Sequence, residues 1–330
     1  MKKILTGIKA TGQVHLGNYL GAIKPSVELS KSDKISSYLF IADSHALTSH
    51  VSFSQLNQSV YEIGATWLAC GLNTEKVFFY RQSDIPELFE LYWILSCITP
   101  KGLMNRAHSY KDRKEKNIKL GKKDLDDKIY MGLYNYPILM SADILLFSPD
   151  EVPVGQDQIQ HLEMARDIAG KFNHRYKTDL FVLPKAFLRD KSVVLGLDGQ
   201  KMSKSYNNTI PLFLDSNKLY KLIRKIKTDS SSLQKKKDTN SCLIFQIYKG
   251  FASLEEIDTM KKLYAEGIGW GEAKEILFHK LESYFKEKKE IYNFYVSQPK
   301  QLDKLLKQGA EKVRVEASSF LKEIKKVLGF

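Results

Sequence analysis

Residues 4–18 read Ile-Leu-Thr-Gly-Ile-Lys-Ala-Thr-Gly-Gln-Val-His-Leu-Gly-Asn. The apolar pair Ile4 and Leu5 predicts a short strand, and the chain from His15 onward predicts the start of a helix. Small and hydrogen-bonding side chains lie between the two, at the turn. Backbone N–H groups at a helix N-terminus attract anions. The stretch therefore predicts a strand–turn–helix unit that binds a phosphate.

A second stretch, Lys201-Met202-Ser203-Lys204-Ser205, lies 186 residues beyond His15 and follows Gly199-Gln200. Its two lysines are three residues apart, with small or flexible side chains between them. A mobile loop of this kind can close ammonium groups over negative charge that develops on a phosphate. Together, the two stretches predict a site that activates ATP.

The first half of the chain alternates strand-like and helix-like segments. Strands are predicted at Ile4-Leu5, 37–42 and 77–80. A helix is predicted from Ser54 to Cys70, with Ser52 or Ser54 as its N-cap and Gly71 just after its end. This alternation is typical of βαβ units, which build a parallel sheet with ligands bound beyond the carboxyl ends of the strands. The lysine-rich segment 101–128 is expected to be a helical or mobile insertion.

After Asp215 only amphipathic helices are predicted, over 218–227, 241–252, 254–264, 271–296 and 301–327, with an exposed loop at 235–238. The chain carries a net charge of +13. Residues 201–330 hold 26 Lys and Arg against 16 Asp and Glu, a balance of +10, whereas residues 1–200 hold 25 against 22, a balance of +3. Such a basic half is either a lysine-rich solvated surface or a surface for RNA; charge alone does not decide between them.

Cysteine and hydropathy patterns limit the class of protein. Cys70, Cys97 and Cys242 are widely separated, so neither a zinc site nor a disulfide framework is predicted. The apolar run at the N-terminus breaks at Thr6-Gly7, which argues against a signal peptide. No apolar run approaches the roughly 20 residues that span a bilayer. These features predict a soluble, cytoplasmic protein with no membrane partner.

The two stretches resemble the signatures of class I aminoacyl-tRNA synthetases. The chain is similar to the bacterial tryptophanyl-tRNA synthetase family along its whole length. The stretches that carry this resemblance are 4–22, 136–145 and 152–158, with His161 and Arg166-Asp167. The resemblance implies an α/β fold in which a Rossmann-like parallel-sheet domain over 1–200 activates ATP and the amino acid. It also implies an α-helical domain over 201–330 that binds the tRNA anticodon, a last helix that packs back on the first domain, and a homodimer.

Asp143 lies in an otherwise apolar segment, 138–147, where a charge is costly unless it is paired or hydrogen-bonded. It is either a structural aspartate that caps a neighbouring helix or the acceptor for a ligand N–H at the base of an apolar pocket. The resemblance assigns it the second role, toward the indole of L-tryptophan, and we expect the carboxylate to be unpaired in the empty pocket. Residues with a predicted tryptophan-binding role around it are the apolar Leu5, Met140, Val152 and Val154, which equally suit a core, and the polar Tyr136 and Gln158.

The ATP-binding residues are predicted around the two signatures. His15 and Asn18 donate to phosphate, Gly17 lets adenine approach the helix, and the resemblance places Val194 at adenine. Gly155, Gln156 and Asp157 border the ribose. Lys201 and Lys204 stabilise phosphate charge, and Lys111 reaches the pyrophosphate. The full predicted set also includes Lys9, Ala10, Thr11, Met202, Ser203 and Ser205.

Two departures from the family pattern stand out. Leu5 and Lys9 occupy positions where one bacterial branch has an aromatic residue and a glutamine, so Lys9 adds a cation near the phosphates or the carboxylate. The resemblance implies that tryptophan attacks ATP and that tRNA(Trp) then takes the acyl group. No carboxylate cluster suggests a metal cage, so Mg²⁺ is expected to arrive with ATP. The alternatives are a tyrosyl-tRNA synthetase, a small nucleotidyltransferase and a non-catalytic RNA-binding paralogue.

Overall fold

The structure, a computed structural model, describes residues 1–49, 51–155, 158–188, 194–229 and 236–330. Three parallel strands form its central sheet: β1 (Lys2–Lys9), β2 (Ile35–Ala42) and β3 (Phe78–Arg81), in the order β1-β2-β3. Two more parallel strands, β4 (Val152–Val154) and β5 (Ala186–Leu188), pair with each other. A parallel bridge between Ile4 and Glu151 places β4 beside β1. The strand order across the molecule is therefore β3-β2-β1-β4-β5, a Rossmann-like arrangement.

Helices connect and cover these strands. The signature helix begins as α1 (Leu16–Asn18), passes through a π-helical turn (Tyr19–Ile23) and continues as α2 (Lys24–Leu29). The remaining helices of the first half are α3 (Asp43–Ala46), α4 (Phe53–Ala69), α5 (Pro86–Ile98), α6 (Lys101–Met104), α7 (His108–Lys119), α8 (Met131–Leu145) and α9 (Ile159–Tyr176). The predicted helix at 54–70 is confirmed as α4, and Ser52 is its N-cap. The insertion 101–128 contains α6 and α7.

The described residues after Asp215 contain five α-helices and no strand. These are α10 (Ser216–Arg224), α11 (Leu243–Lys249), α12 (Leu254–Glu266), α13 (Trp270–Ser297) and α14 (Pro299–Leu328). The predicted loop at 235–238 is only partly exposed. Lys235 lies outside the described residues, and Lys237 is buried with its ammonium 5.1 Å from the centre of the Trp270 ring. A lysine can bury its stem against an aromatic face and keep its charge there, which the sequence pattern does not reveal.

The sheet has a core on each face. Leu39 and Ile41 of β2 face a core that includes α4 and the helices α10 to α13, whereas Tyr38 and Phe40 face α5, α8 and α9. This alternation follows the two-residue period of a strand. Both faces of β2 are buried, as expected for a parallel sheet. The carboxyl ends of β1, β2 and β3 thus lie between two packed layers, where a ligand site can form.

The last helix crosses back over the first half of the chain. Gly309 of α14 lies so close to β3 that a Cβ atom there would collide with the Phe79 carbonyl. Arg314 of the same helix pairs with Glu87 at 3.0 Å. The missing side chain lets α14 lie close against the edge of β3. Among the described residues, none of the helices is long and apolar enough to cross a membrane.

Candidate active site

The turn after β1 leads into the first signature, residues 15–18. Gly12 has a φ of +61°, a conformation that favours glycine, and its N–H donates to Ser59 Oγ at 2.9 Å. His15 then caps the signature helix. Its Nδ1 accepts from the Asn18 N–H at 3.4 Å, and the Asn18 side-chain oxygen accepts from the His15 N–H at 3.2 Å. This reciprocal pair holds both predicted phosphate-contacting residues at one helix N-terminus.

The protonation state of His15 follows from its surroundings. Burial, together with the charge of Lys204, lowers the pKa of His15 to about 4. The imidazole is therefore neutral at pH 7. Because Nδ1 accepts from Asn18, the proton resides on Nε2, which can donate to a phosphate oxygen. His15 thus suits the role of a neutral donor rather than a cation.

The second signature is the far arm of a tight hairpin. Leu195 and Lys201 form an antiparallel bridge, and Gly199 turns the chain with a φ of +86°. The Val194 carbonyl accepts from the Met202 N–H at 2.9 Å. Met202 is buried, and its sulfur accepts from the Gly17 N–H at 3.3 Å. Met202 therefore joins the two signatures directly.

Gly17 has a packing role in addition to the predicted one toward adenine. A Cβ at this position would lie 3.0 Å from the His15 ring and 3.5 Å from Met202 Cβ. These distances are tight, so the missing side chain makes room for the protein's own histidine and methionine. Its contact with adenine stays a prediction.

Lys204 lies across the cleft between the signatures. Its ammonium donates to the Thr11 carbonyl and, at 3.0 Å, to the Gly12 carbonyl. Burial lowers the pKa of Lys204 to about 8. Ser203 begins the short 3₁₀ turn Lys204–Tyr206, and its hydroxyl lies 2.8 Å from that of Ser205. The two stretches, distant in sequence, form one site in which Lys204 can exchange carbonyl oxygens for phosphate oxygens.

Asp143 lies in a buried hydrogen-bonded group, which corrects the expectation that it is unpaired. Its Oδ2 is 2.8 Å from His45 Nε2, and Gln82 Nε2 donates to both carboxylate oxygens at 2.8 and 2.9 Å. Burial raises the pKa of Asp143, and the bond to His45 opposes that shift. A carboxylate has about four acceptor positions. Among the described residues, these contacts use three of the positions, which leaves one for a ligand N–H.

His45 and Gln82 were not among the sequence-predicted site residues. Each follows the carboxyl end of a strand: His45 comes after β2, and Gln82 comes directly after β3. The carboxyl ends of parallel strands meet at one edge of the sheet. That rule, applied to the predicted strands, is the signal that identifies both residues. It also identifies Asp43, which accepts from the Ser83 N–H at 3.0 Å in the same layer.

Tyr136 lies beside this group. Its ring meets His45 edge to face at 6.2 Å between ring centres, and its hydroxyl is 2.6 Å from His161 Nε2. Leu5, Val152 and Val154 are all buried in the core next to α8, and Met140 is partly buried against that core. Their packing suits both predicted alternatives, core and pocket wall.

The other predicted residues differ in how far they are exposed. Ala10 is buried, Gly155 and Gln158 are exposed, and Lys111 is exposed on α7. Gln156 and Asp157 lie outside the described residues. Lys9 donates to Thr48 Oγ1 at 2.9 Å, and the same hydroxyl donates to the His45 carbonyl at 2.8 Å. Through Thr48, the end of β1 is thus linked to the Asp143 group, so the two halves of the predicted site adjoin.

Comparison with known proteins gives the family. The sequence model of the tRNA synthetases class I (W and Y) matches residues 1–315. The chain belongs to this synthetase family. It is 47% identical over 329 residues to the tryptophan–tRNA ligase of Neisseria meningitidis, with 99% of this chain and 98% of that protein covered. It is 46% identical to the Pseudomonas aeruginosa tryptophan–tRNA ligase, covering 99% of this chain and 73% of that protein.

A solved synthetase structure agrees with the fold. The Campylobacter jejuni tryptophanyl-tRNA synthetase, complexed with ADP and tryptophan, has a TM-score of 0.89 and 42% identity, with 99% of this chain and 100% of that chain covered. The predicted family, the Rossmann-like parallel sheet and the aminoacyl-tRNA synthetase activity are therefore confirmed. The individual roles of the site residues stay predictions.

Proposed function

We propose that this synthetase attaches L-tryptophan to tRNA(Trp) in two steps, with ATP as the activating substrate. The tryptophan carboxylate attacks the α-phosphorus of ATP, a new acyl–phosphate bond forms, and pyrophosphate leaves with the electrons of the broken P–O bond. A terminal ribose hydroxyl of the tRNA then attacks the acyl carbon, and AMP leaves. Both nucleophiles belong to substrates, so the protein's task is to position them and to stabilise charge.

The observation that carries the proposal is the remaining acceptor position on Asp143. Gln82 and His45 hold the carboxylate in a fixed orientation inside an apolar layer. A buried acceptor rejects any side chain that lacks a matching donor, because the acceptor is then left unpaired. The indole N–H of tryptophan supplies this donor, whereas a phenyl ring does not. Both relatives described above are tryptophan–tRNA ligases, which supports tryptophan as the amino acid substrate.

Three side chains serve the phosphates. The neutral His15 donates through Nε2, and Lys201 and Lys204 supply positive charge. Among the described residues, no group of three or more His, Cys, Asp and Glu side chains is arranged to hold a metal ion. We propose that Mg²⁺ enters as part of the substrate MgATP, bound to its phosphate oxygens.

The tRNA surface is proposed on the helical half. Residues 216–228 carry five cations and no acidic residue, and all five side chains are exposed: Lys218, Lys221, Arg224, Lys225 and Lys227. The Lys227 N–H donates to the Leu197 carbonyl at 2.8 Å, so this basic face adjoins the second signature. Such a row of exposed cations is complementary to an RNA backbone. A tRNA bound there lies against the loop that handles ATP.

We propose that the synthetase is a cytoplasmic homodimer. The neighbouring helices α5 and α8 carry exposed large apolar side chains, Trp93 and Met131, of the kind that a subunit interface covers. The unpaired thiols Cys70, Cys97 and Cys242 suit a reducing compartment. Sedimentation equilibrium of the wild type and of Trp93→Glu tests the dimer: a monomeric wild type contradicts it.

The decisive experiment is amino-acid-dependent ATP–pyrophosphate exchange with all twenty amino acids. Exchange with tryptophan alone, followed by charging of tRNA(Trp), is the expected result. Exchange with tyrosine instead of tryptophan identifies the tyrosine branch of the family. No exchange with any amino acid, on protein that binds RNA, identifies a non-catalytic paralogue.

A further inference from the structure

Asn208 lies three residues after the second signature and is 2% exposed. Its side-chain Nδ2 donates to Asp198 Oδ1 at 2.7 Å and to the Lys201 carbonyl at 3.1 Å. Its side-chain oxygen accepts from the Ser203 N–H at 2.8 Å. Its own carbonyl accepts from the Leu197 N–H at 2.9 Å. Asn208 therefore bonds both to the turn of the hairpin and to its far arm.

We propose that Asn208 is a positioning residue for adenylate formation, a role that rests on the proposed function. It holds the backbone on both sides of Met202 and so sets the direction from which Lys201 and Lys204 approach the phosphates. Lys201 is exposed, and its backbone carbonyl, which Asn208 holds, sets the point from which its side chain extends. Met202 docks on Gly17 only if this backbone stays in place.

The bonding pattern requires an amide. Asn208 donates two hydrogen bonds and accepts one through a single planar group, and an ionised carboxylate of the same shape only accepts. The hydrogen bonds from Asn208 Nδ2 and the Gln200 N–H hold the pKa of Asp198 below its usual range. Asp198 is therefore ionised at neutral pH, and the bond between the two residues is charge-assisted.

Gly196 gives independent support for a fitted arrangement. A Cβ at residue 196 would collide with the Asn208 side-chain amide and would lie 2.6 Å from the Asn208 backbone carbonyl oxygen. The hairpin thus closes onto Asn208 because residue 196 has no side chain. Gly196→Ala should displace the amide without changing the chemistry of either Asn208 or Asp198.

The test measures tryptophan-dependent pyrophosphate exchange for four variants. Asn208→Asp places a second carboxylate against Asp198, and we expect its kcat to fall at least about tenfold while the tryptophan KM changes less than about threefold. Gly196→Ala should show the same division between kcat and KM. Asp198→Asn combined with Asn208→Asp restores a donor–acceptor pair and should recover at least about threefold of the lost kcat.

Asn173→Asp is the matched control. Asn173 holds Phe181 through two hydrogen bonds, at 2.8 and 3.0 Å, in the last turn of α9, about 21 Å along the helix from its start. This variant should keep a wild-type kcat, and melting temperatures of all variants report folding separately. A wild-type kcat in Asn208→Asp and Gly196→Ala, or no recovery in the exchanged pair, overturns the positioning role. Absence of tryptophan-dependent exchange in the wild type instead overturns the proposed function.

Discussion

At the scale of single residues, we expect Asp143 to determine selectivity for tryptophan. Asp143→Ala removes the acceptor for the indole N–H, so kcat/KM for tryptophan should fall at least about tenfold, or about 1.4 kcal/mol. Discrimination against tyrosine and phenylalanine should shrink with it. Because Asp143 already binds His45 and Gln82, the variant should also lose about 1–3 kcal/mol of unfolding free energy through unpaired buried groups.

Pyrophosphate exchange with tryptophan and tyrosine, and urea denaturation, check both effects. Ser141→Ala is the control, since Ser141 is buried on the same helix and its hydroxyl donates to the Pro137 carbonyl of that helix. If Asp143→Ala keeps wild-type selectivity while losing stability, Asp143 is a structural aspartate.

We expect the lysines of the second signature to act mainly in the transition state. Lys204→Ala or Lys201→Ala should reduce kcat for adenylate formation by on the order of 10²–10³, with a smaller change in the tryptophan KM. Each variant removes a cation aimed at developing phosphate charge, not at the ground-state amino acid. Single-turnover formation of the adenylate measures this step. Wild-type rates in both variants would contradict the assignment.

The pKa of Lys204 predicts a dependence on pH. Because burial lowers this pKa to about 8, the ammonium is charged below pH 8 and loses its proton as the pH rises through that value. Hence kcat/KM for ATP, which reports the free enzyme, should decline above about pH 8. Lys204→Arg should flatten the decline, since a guanidinium keeps its charge. Lys201→Arg, at the exposed neighbour, should retain the decline above pH 8. If Lys204→Arg shows the same decline as the wild type, the titrating group is not Lys204.

At the scale of elements, the contact of α14 with β3 depends on Gly309. Gly309→Ala pushes the helix away from the Phe79 backbone and should cost about 1–3 kcal/mol of unfolding free energy. Gly170→Ala is the matched control, because Gly170 lies inside α9 and a Cβ there meets no atom within 4 Å. That variant should be neutral or gain up to about 1 kcal/mol through helix propensity. Equal midpoints for both variants in urea would show that α14 does not need the close approach.

At the scale of the whole molecule, the basic face of α10 should govern the salt dependence of tRNA binding. The triple change Lys218→Gln, Lys221→Gln and Lys225→Gln should weaken tRNA affinity and reduce the slope of log K against log salt by about 2, with pyrophosphate exchange unchanged. The same number of charges is removed by Lys300→Gln, Lys304→Gln and Lys307→Gln, which are exposed on α14. Equal slopes in the two triple variants would mean that net charge, rather than this face, attracts the tRNA.

What the sequence determined by itself is local or repetitive. The strand periods, the capped helix α4, the helices after Asp215 and the two signatures are each contained within a few turns of chain, where spacing and residue type carry the information. The family followed from long continuous matches of the same kind. The amphipathic period also predicted the five last helices, and the predicted ends agree with the structure to within about three residues.

Only the tertiary structure decided which side chains meet. Asp143 binds His45 and Gln82, which are 98 and 61 residues away. The Lys204 ammonium donates to the carbonyl of Thr11, which is 193 residues away in sequence, and Gly309 packs against β3. No local pattern encodes such pairs, because they depend on the order of the strands and on how the helices pack over them. Burial then lowers the pKa values of His15 and Lys204 below those of the same residue types in solvent.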